Sequence, residues 1–415
     1  MLSGHQEIIN SIKKECLSQI DESEFLQPQG DTSLLRKKIE SLFNRFLKSR
    51  KDISLGAQER QLILGQVVSD ILGLGPIEKV LHDPEVSEIM VNGPKQVYIE
   101  RKGKLELTDI TFKDEEHLHY FVEKILSPLG RRVSESEPYI DARLSDGSRV
   151  NVIGHSISLV GTSLTIRKFS RQILTIADLI NLKILTKEAA AFLSACVQSR
   201  LNVIISGGSG VGKTTLLNVL SNCIPENERV ITIEDTAELQ LRGKHVLRLE
   251  TRPANIEGKG EITIRELVKN ALHMRPDRII IGEVRSSEVL DMLQAMTTGH
   301  EGSMSTLHAN SAPETLDRLE MLTLMDNPNI STIVARRQII TAVDLIVYMV
   351  RLPDGKRKVS QISELAKDSK NEFKLQDVFS FGDDNSLDLA ITGNKPLSYD
   401  RLIKQAGFES QVFEK

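Results

Sequence analysis

A chain of 415 residues is too long for one ordinary hydrophobic core and predicts two or three folding units; 40% hydrophobic and 27% charged residues fit a globular protein with a wetted surface. Its 53 Lys and Arg against 57 Asp and Glu exclude a chain-wide electrostatic footprint for a nucleic-acid backbone, while a local basic patch stays compatible. No apolar run nears the ~20 residues of a spanning helix, and acids stand near the N-terminus where a signal peptide is apolar, so a cytosolic location is expected.

The first segment predicts helices. Ile9, Ile12, Cys16 and Ile20 share one face, and Leu35, Ile39, Leu42 and Phe46 share another after the break at Pro28 and Gly30. Leu64, Val67 and Ile71 mark a third helix, and Gly73 to Pro76 end the pattern, which gives a helical bundle over 1–74. From Ile77 the period becomes that of strands, at 89–91, 97–100 and 105–107. A helix capped by Asp114 follows, with Leu118, Phe121, Val122 and Ile125 inward. Residues 139–144 and 149–153 then pair across Asp146 and Gly147, a dipeptide that tolerates positive φ. A strand at 164–167 closes an α+β domain over 75–170.

Beyond Phe169 short apolar strands alternate with helices, the pattern of a parallel sheet: 203–205, 230–233, 278–281 and 345–348. Thr263 with Glu266, and Ser311 with Glu314, have capping-box spacing and mark two helix starts. After Asp354 and Gly355 the pattern weakens into a polar segment, 367–372, short strand-like runs and a last small helix. The third domain is therefore 171–415. Cys16, Cys196 and Cys223 are too few for a disulfide framework and lack metal-ligand spacing, so they read as small core residues. The chain has no Trp, which removes the strongest stacking platform of a single-strand nucleic-acid binder.

Gly207, Gly208, Ser209, Gly210, Val211, Gly212, Lys213 and Thr214 match the phosphate-binding P-loop, directly after an apolar strand and before a helical run through Thr215 and Leu216. The glycines let backbone amides close on phosphate oxygens, Lys213 bridges phosphates and the Thr214 hydroxyl takes Mg²⁺, so ATP and Mg²⁺ are the expected cofactors. Glu283 ends the strand at 278–281 on the edge where parallel sheets bind ligands, and suits a carboxylate that holds a Mg²⁺-bound water or polarises the attacking water. Glu234, Asp235 and Glu238 follow another apolar strand; two acids near one γ-phosphate share metal and water placement, and Glu238 reads equally as decoration of a helix end. His300 and His308 lie close in sequence, but Met304 stands where a zinc hydrolase needs its second histidine, and His308 reads either as a γ-phosphate contact or as a histidine satisfied by a carbonyl.

These blocks together resemble the secretion superfamily of ATPases, which drive type II secretion, type IV pili and type IV secretion. The resemblance runs from about Gly75 to Glu364 through the P-loop, an Asp box at Ile233 to Asp235, a Walker B segment from Met274 to Arg285, and a His box from Gly299 to Asn310. The stretches 139–151 and 265–272 look most like the CpaF branch, which powers tight-adherence (Tad) pili, and the tetracysteine insert of many relatives is missing. The resemblance implies an α/β RecA-like P-loop ATPase core with an α+β, PAS-like N-terminal domain; the N-terminal helical bundle, read from the helical pattern over 1–74, lies outside it. Charge balance and few aromatics argue against nucleic acid; the resemblance implies a homo-hexamer that works on an inner-membrane pilus or secretion platform protein, peripheral at the inner face of the cell membrane through that partner only. It also implies that Glu234 and Glu283 arrange water, either being the base, that His308 belongs to the site, and that Arg149 and Arg167 act as arginine fingers. A RecA-like nucleic-acid motor and a nucleotide-gated scaffold are the rival expectations.

Overall fold

The computed structural model describes residues 32–50, 53, 55–72, 75–144, 146–168, 174–252, 254, 259–327, 329–367, 372–382, 387–408 and 413, with seven positions between 8 and 19. Ile20, Pro28, Gly30, Gly73 and Leu74, and most of the polar segment 367–372, lie outside the described residues. The chain forms two compact units, Met1–Ser170 and Arg171–Lys415.

In the first unit, helices α1 (Thr32–Ser49) and α2 (Ala57–Leu72) pack together. Ile39, Leu42, Phe43, Ile63 and Val67 form their shared core with Ile9, Ile12 and Cys16. A 3-10 turn (Gly75–Ile77) and the short α3 (Glu78–His82) lead into β1 (Val86–Asn92), β2 (Val97–Arg101) and β3 (Lys104–Leu107). Next come α4 (Glu115–Leu126), β4 (Tyr139–Arg143), β5 (Arg149–Ile153) and β6 (Ser163–Arg167). The six strands make one antiparallel sheet ordered β3-β2-β1-β6-β5-β4. Asp114 caps α4 by accepting from the His117 amide at 2.9 Å, worth ~1 kcal/mol, and Leu118, Phe121 and Val122 seal one face of the sheet. Gly147 at φ 92° turns the β4–β5 hairpin.

The second unit starts with α5 (Ile176–Asn181) and α6 (Lys187–Gln198), then β7 (Val203–Gly207), α7 (Lys213–Ser221), β8 (Val230–Glu234) and β9 (Val246–Glu250). It continues through α8 (Ile264–Ala271), β10 (Arg278–Val284), α9 (Glu288–Thr297), β11 (Met304–His308), α10 (Ala312–Asp326) and α11 (Thr332–Ala342). The last elements are β12 (Leu345–Arg351), β13 (Arg357–Leu365), β14 (Leu375–Phe381), β15 (Leu389–Ile391) and α12 (Tyr399–Ala406). Nine strands form one mixed sheet ordered β15-β14-β13-β12-β7-β11-β10-β8-β9. The stretch from β12 to β9 is parallel, and β13 to β15 extend it antiparallel.

Alternate residues of the strands feed opposite cores, as a two-sided sheet requires. Val203 and Ile205 pack with α6, α7 and α12, while Ile204 packs with α8 to α11. The two predicted helix starts hold in different degrees. Thr263 and Glu266 complete a reciprocal capping box. Ser311 accepts from the Glu314 amide, whereas the Glu314 carboxylate turns to the Asn310 backbone and side chain. Strands β9 and β11 were not marked by the apolar pattern: β11 carries Ser305 and Thr306, fully buried hydroxyl residues, and Thr306 Oγ1 is satisfied by the Gly282 carbonyl at 2.8 Å. Among the described residues no helix is long and apolar enough to cross a membrane.

Candidate nucleotide-binding site

Every residue of β7 is buried, which fixes where the P-loop leaves the sheet. Gly207, at φ 148°, has its Cα against β12: a Cβ there would lie 2.4 Å from the Met349 carbonyl oxygen, so only glycine fits. Gly210 and Gly212 also take positive φ, 69° and 99°. Ser209 and Gly210 are exposed at the loop tip, Gly208 is half-buried, and Val211 anchors the loop in the core. Gly212 then caps α7 with no side chain accepting from its first-turn amides. Such amides, at the positive end of the helix dipole, are the donors a phosphate takes. Lys213 is buried and folds back over the loop, its Nζ donating to the carbonyls of Gly207 at 3.1 Å and Gly208 at 2.8 Å. Thr214 and Thr215 follow on the first turn, the former half-buried.

Three neighbouring strand ends bring the remaining groups to the same edge. Strand β8 ends on Glu234, which is 2% exposed. Its Oε2 accepts from the amides of Glu238 at 2.7 Å and Leu239 at 2.9 Å, while Oε1 is buried without a hydrogen-bond partner. Burial outweighs those two amides and pushes the carboxyl up to about 7. Glu238 itself contributes its backbone amide to this arrangement. Gly282, on β10, makes room for Glu234: a Cβ there would sit 3.0 Å from Glu234 Cγ.

Glu283, one residue on, faces His308 from the end of β11, with Nε2 2.8 Å from its Oε1, close enough for charge interaction though not aligned for a hydrogen bond. Glu283 Oε2 accepts from Arg285 Nε at 2.8 Å, and Arg285 reaches on to Asp235 at 3.5 Å. On its other side His308 lies 3.4 Å from Lys213 Nζ. Desolvation first, then the Lys213 charge, lower the His308 pKa, which favours the neutral ring despite Glu283 beside it. Lys213, His308, Glu283, Arg285 and Asp235 thus form a continuous polar chain. Arg285 and Asp235 complete it through side-chain reach that the sequence does not show.

In the first unit, Arg149 on β5 and Arg167 on β6 stand directly opposite one another, and Arg143 on β4 extends the row beyond Arg149. Arg149 is held by Asp141, its Nε 3.0 Å from Oδ1. Glu88 on β1 lies opposite Arg167. Both arginines are exposed.

A family model for the type II/IV secretion system protein matches residues 70–378. The chain belongs to this family. A putative conjugal transfer protein of Mycobacterium tuberculosis is 32% identical over 317 residues, 75% of this chain and 90% of that relative. The type IV secretion system protein VirB11 of Brucella suis is 31% identical over 303 residues, 66% of this chain and 84% of VirB11. The pilus retraction motor PilT solved with ADP superposes with a TM-score of 0.52 at 19% identity, covering 81% of this chain and 87% of PilT. The Legionella pneumophila ATPase DotB gives 0.50 at 21%, covering 71% and 80%. At those identities the likeness is one of fold, and the mixed α/β sheet described above is what the chains share. This secretion-family protein is an ATPase.

The residues present fit the group such an ATPase uses. Uncapped first-turn amides, a glycine cradle and a buried lysine suit the phosphates of ATP, and the Thr214 hydroxyl with Glu283 suits Mg²⁺ held chiefly by phosphate and water. Among the described residues no three His, Cys, Asp or Glu gather to hold a metal by themselves.

Proposed function

We propose that this secretion-family ATPase is a hexameric motor of the Tad-pilus kind, hydrolysing ATP to ADP and phosphate to move an inner-membrane pilus or secretion platform protein. The observation that carries the chemical part is Glu234: a carboxylate buried at the sheet's carboxyl edge, with one oxygen unpartnered and a pKa near neutrality, is suited to accept a proton from the attacking water. Bound Mg²⁺ would neutralise charge on the β- and γ-phosphates. The backbone amides of 207–215 and Lys213 hold those phosphates, and Thr214 and Glu283 meet the metal, the latter through water. His308, kept neutral between Lys213 and Glu283, is placed to donate a hydrogen bond to the γ-phosphate. Arg149 and Arg167 supply the remaining positive charge as arginine fingers, so that hydrolysis and phosphate release free them again.

A structure of the full chain with Mg²⁺ and a non-hydrolysable ATP analogue tests this reading. Six chains in a ring, Glu234 Oε1 facing the in-line water and both arginines on the terminal phosphate are the expected result. A monomer with nucleotide bound, or arginines that face away from every nucleotide, would overturn the motor reading.

A further inference from the structure

Helix α1 carries a charge distribution that the nucleotide chemistry does not use. Residues 36–50 contain Arg36, Lys37, Lys38, Arg45, Lys48 and Arg50 against the single acid Glu40, a local net charge of +5 in a chain whose total is −4, so the rest of the chain stands at −9. The helix is amphipathic in a definite sense. Ile39, Leu42 and Phe43 are buried in the core of the first unit, with Leu35 and Phe46 packed beside them. On the opposite face Lys37, Ser41, Asn44 and Lys48 form an exposed stripe at helical spacing, flanked by exposed Arg45. Small uncharged residues therefore separate the cations of the stripe, and Glu40 lies to one side at 3.5 Å from Arg36.

We infer that the exposed face of α1 docks on an anionic phospholipid surface. The described apolar residues of α1 are packed in or against the core, so the stripe from Lys37 to Lys48 offers attraction by charge. From Lys37 to Lys48 the stripe runs straight for ~16 Å, a line of cations that a plane of phosphate headgroups can meet along its whole length. A field of negative headgroups attracts each Lys or Arg near it with a free energy that changes partitioning about fivefold. The same field repels the net negative remainder of the chain, which turns α1 toward the surface. One copy then binds weakly and reversibly, and several copies in one assembly bind much more firmly through linked contacts. This goes beyond attachment through a platform protein alone, and it does not depend on which residue activates water.

Co-sedimentation of the full chain with vesicles of phosphatidylcholine, with and without phosphatidylglycerol, tests the inference against salt and against the variant Lys37→Gln/Arg45→Gln/Lys48→Gln. Wild type is expected to partition onto the anionic vesicles only, with binding that falls as salt rises. The triple variant is expected to lose about a hundredfold in partitioning, three steps of about fivefold. Its lipid-free ATPase rate should equal wild type, which shows that it folds. Equal binding to neutral and anionic vesicles, no binding to either, or a folded variant that binds like wild type would overturn the inference. So would loss of binding to a duplex DNA probe in the variant with lipid binding unchanged, since the stripe would then serve nucleic acid.

Discussion

At the scale of the residue, Glu234 holds opposing influences: two backbone amides favour its charged form, and burial disfavours it more strongly, leaving the carboxyl at about 7 against an ordinary 4.5. Because this acid titrates higher folded than unfolded, the folded state binds more protons between those two pH values, and stability declines as pH rises through that window. Glu234→Gln removes the decline. The variant should therefore gain stability relative to wild type between pH 5 and pH 8, on the order of 2–3 kcal/mol, while its phosphate release drops roughly 10²-fold or more. Urea unfolding at the two pH values and a phosphate assay check both halves; a wild-type-like rate would remove Glu234 from the chemistry. Gly282→Ala probes the same spot from the neighbouring strand. Its Cβ would press on Glu234 Cγ at 3.0 Å, so turnover should fall about tenfold or more with ATP affinity kept, as expected when a catalytic group is displaced by a fraction of an ångström.

At the scale of the element, strand β10 has one end at the proposed site and one end in a buried ion pair. Glu283 is near its carboxyl end, whereas Arg278, at its start, is fully buried and donates to Glu228 at 2.7 and 3.0 Å. Gly302 packs against the guanidinium so closely that a Cβ there would lie 2.6 Å from it. Arg278→Met should leave Glu228 buried with Arg200 as its remaining ion-pair partner among the described residues, and cost ~3 kcal/mol in urea unfolding, with the rate per folded molecule near wild type. A large change in turnover with unchanged stability would contradict that division of labour.

The sequence shows the two ends of β10 unequally. Glu283 follows an apolar run and so announces itself, but the Arg278–Glu228 pair spans fifty positions and no local pattern encodes it. The P-loop was legible for the opposite reason, since close backbone approach at Gly207 and positive φ at Gly210 and Gly212 call for glycine within eight consecutive residues. Strand β11 was hidden because it fills a two-sided sheet with Ser305 and Thr306, whose buried hydroxyls mimic a loop in composition. The polar chain from Lys213 to Asp235 depends on strand order: β11 lies between β7 and β10, which sets His308 between Lys213 and Glu283.

At the scale of the whole molecule, the proposed motor depends on Arg149 and Arg167 acting as fingers on a nucleotide held at the P-loop. Arg149 is tied to Asp141 and Arg167 lies opposite Glu88, so both have acidic partners to leave when a phosphate arrives. The most direct measurement is phosphate release from Mg²⁺–ATP by the full chain carrying Arg149→Ala and Arg167→Ala, with ATP binding followed in parallel. Retained binding with release slowed about 10³-fold or more is the expected result; release at the wild-type rate would contradict the account.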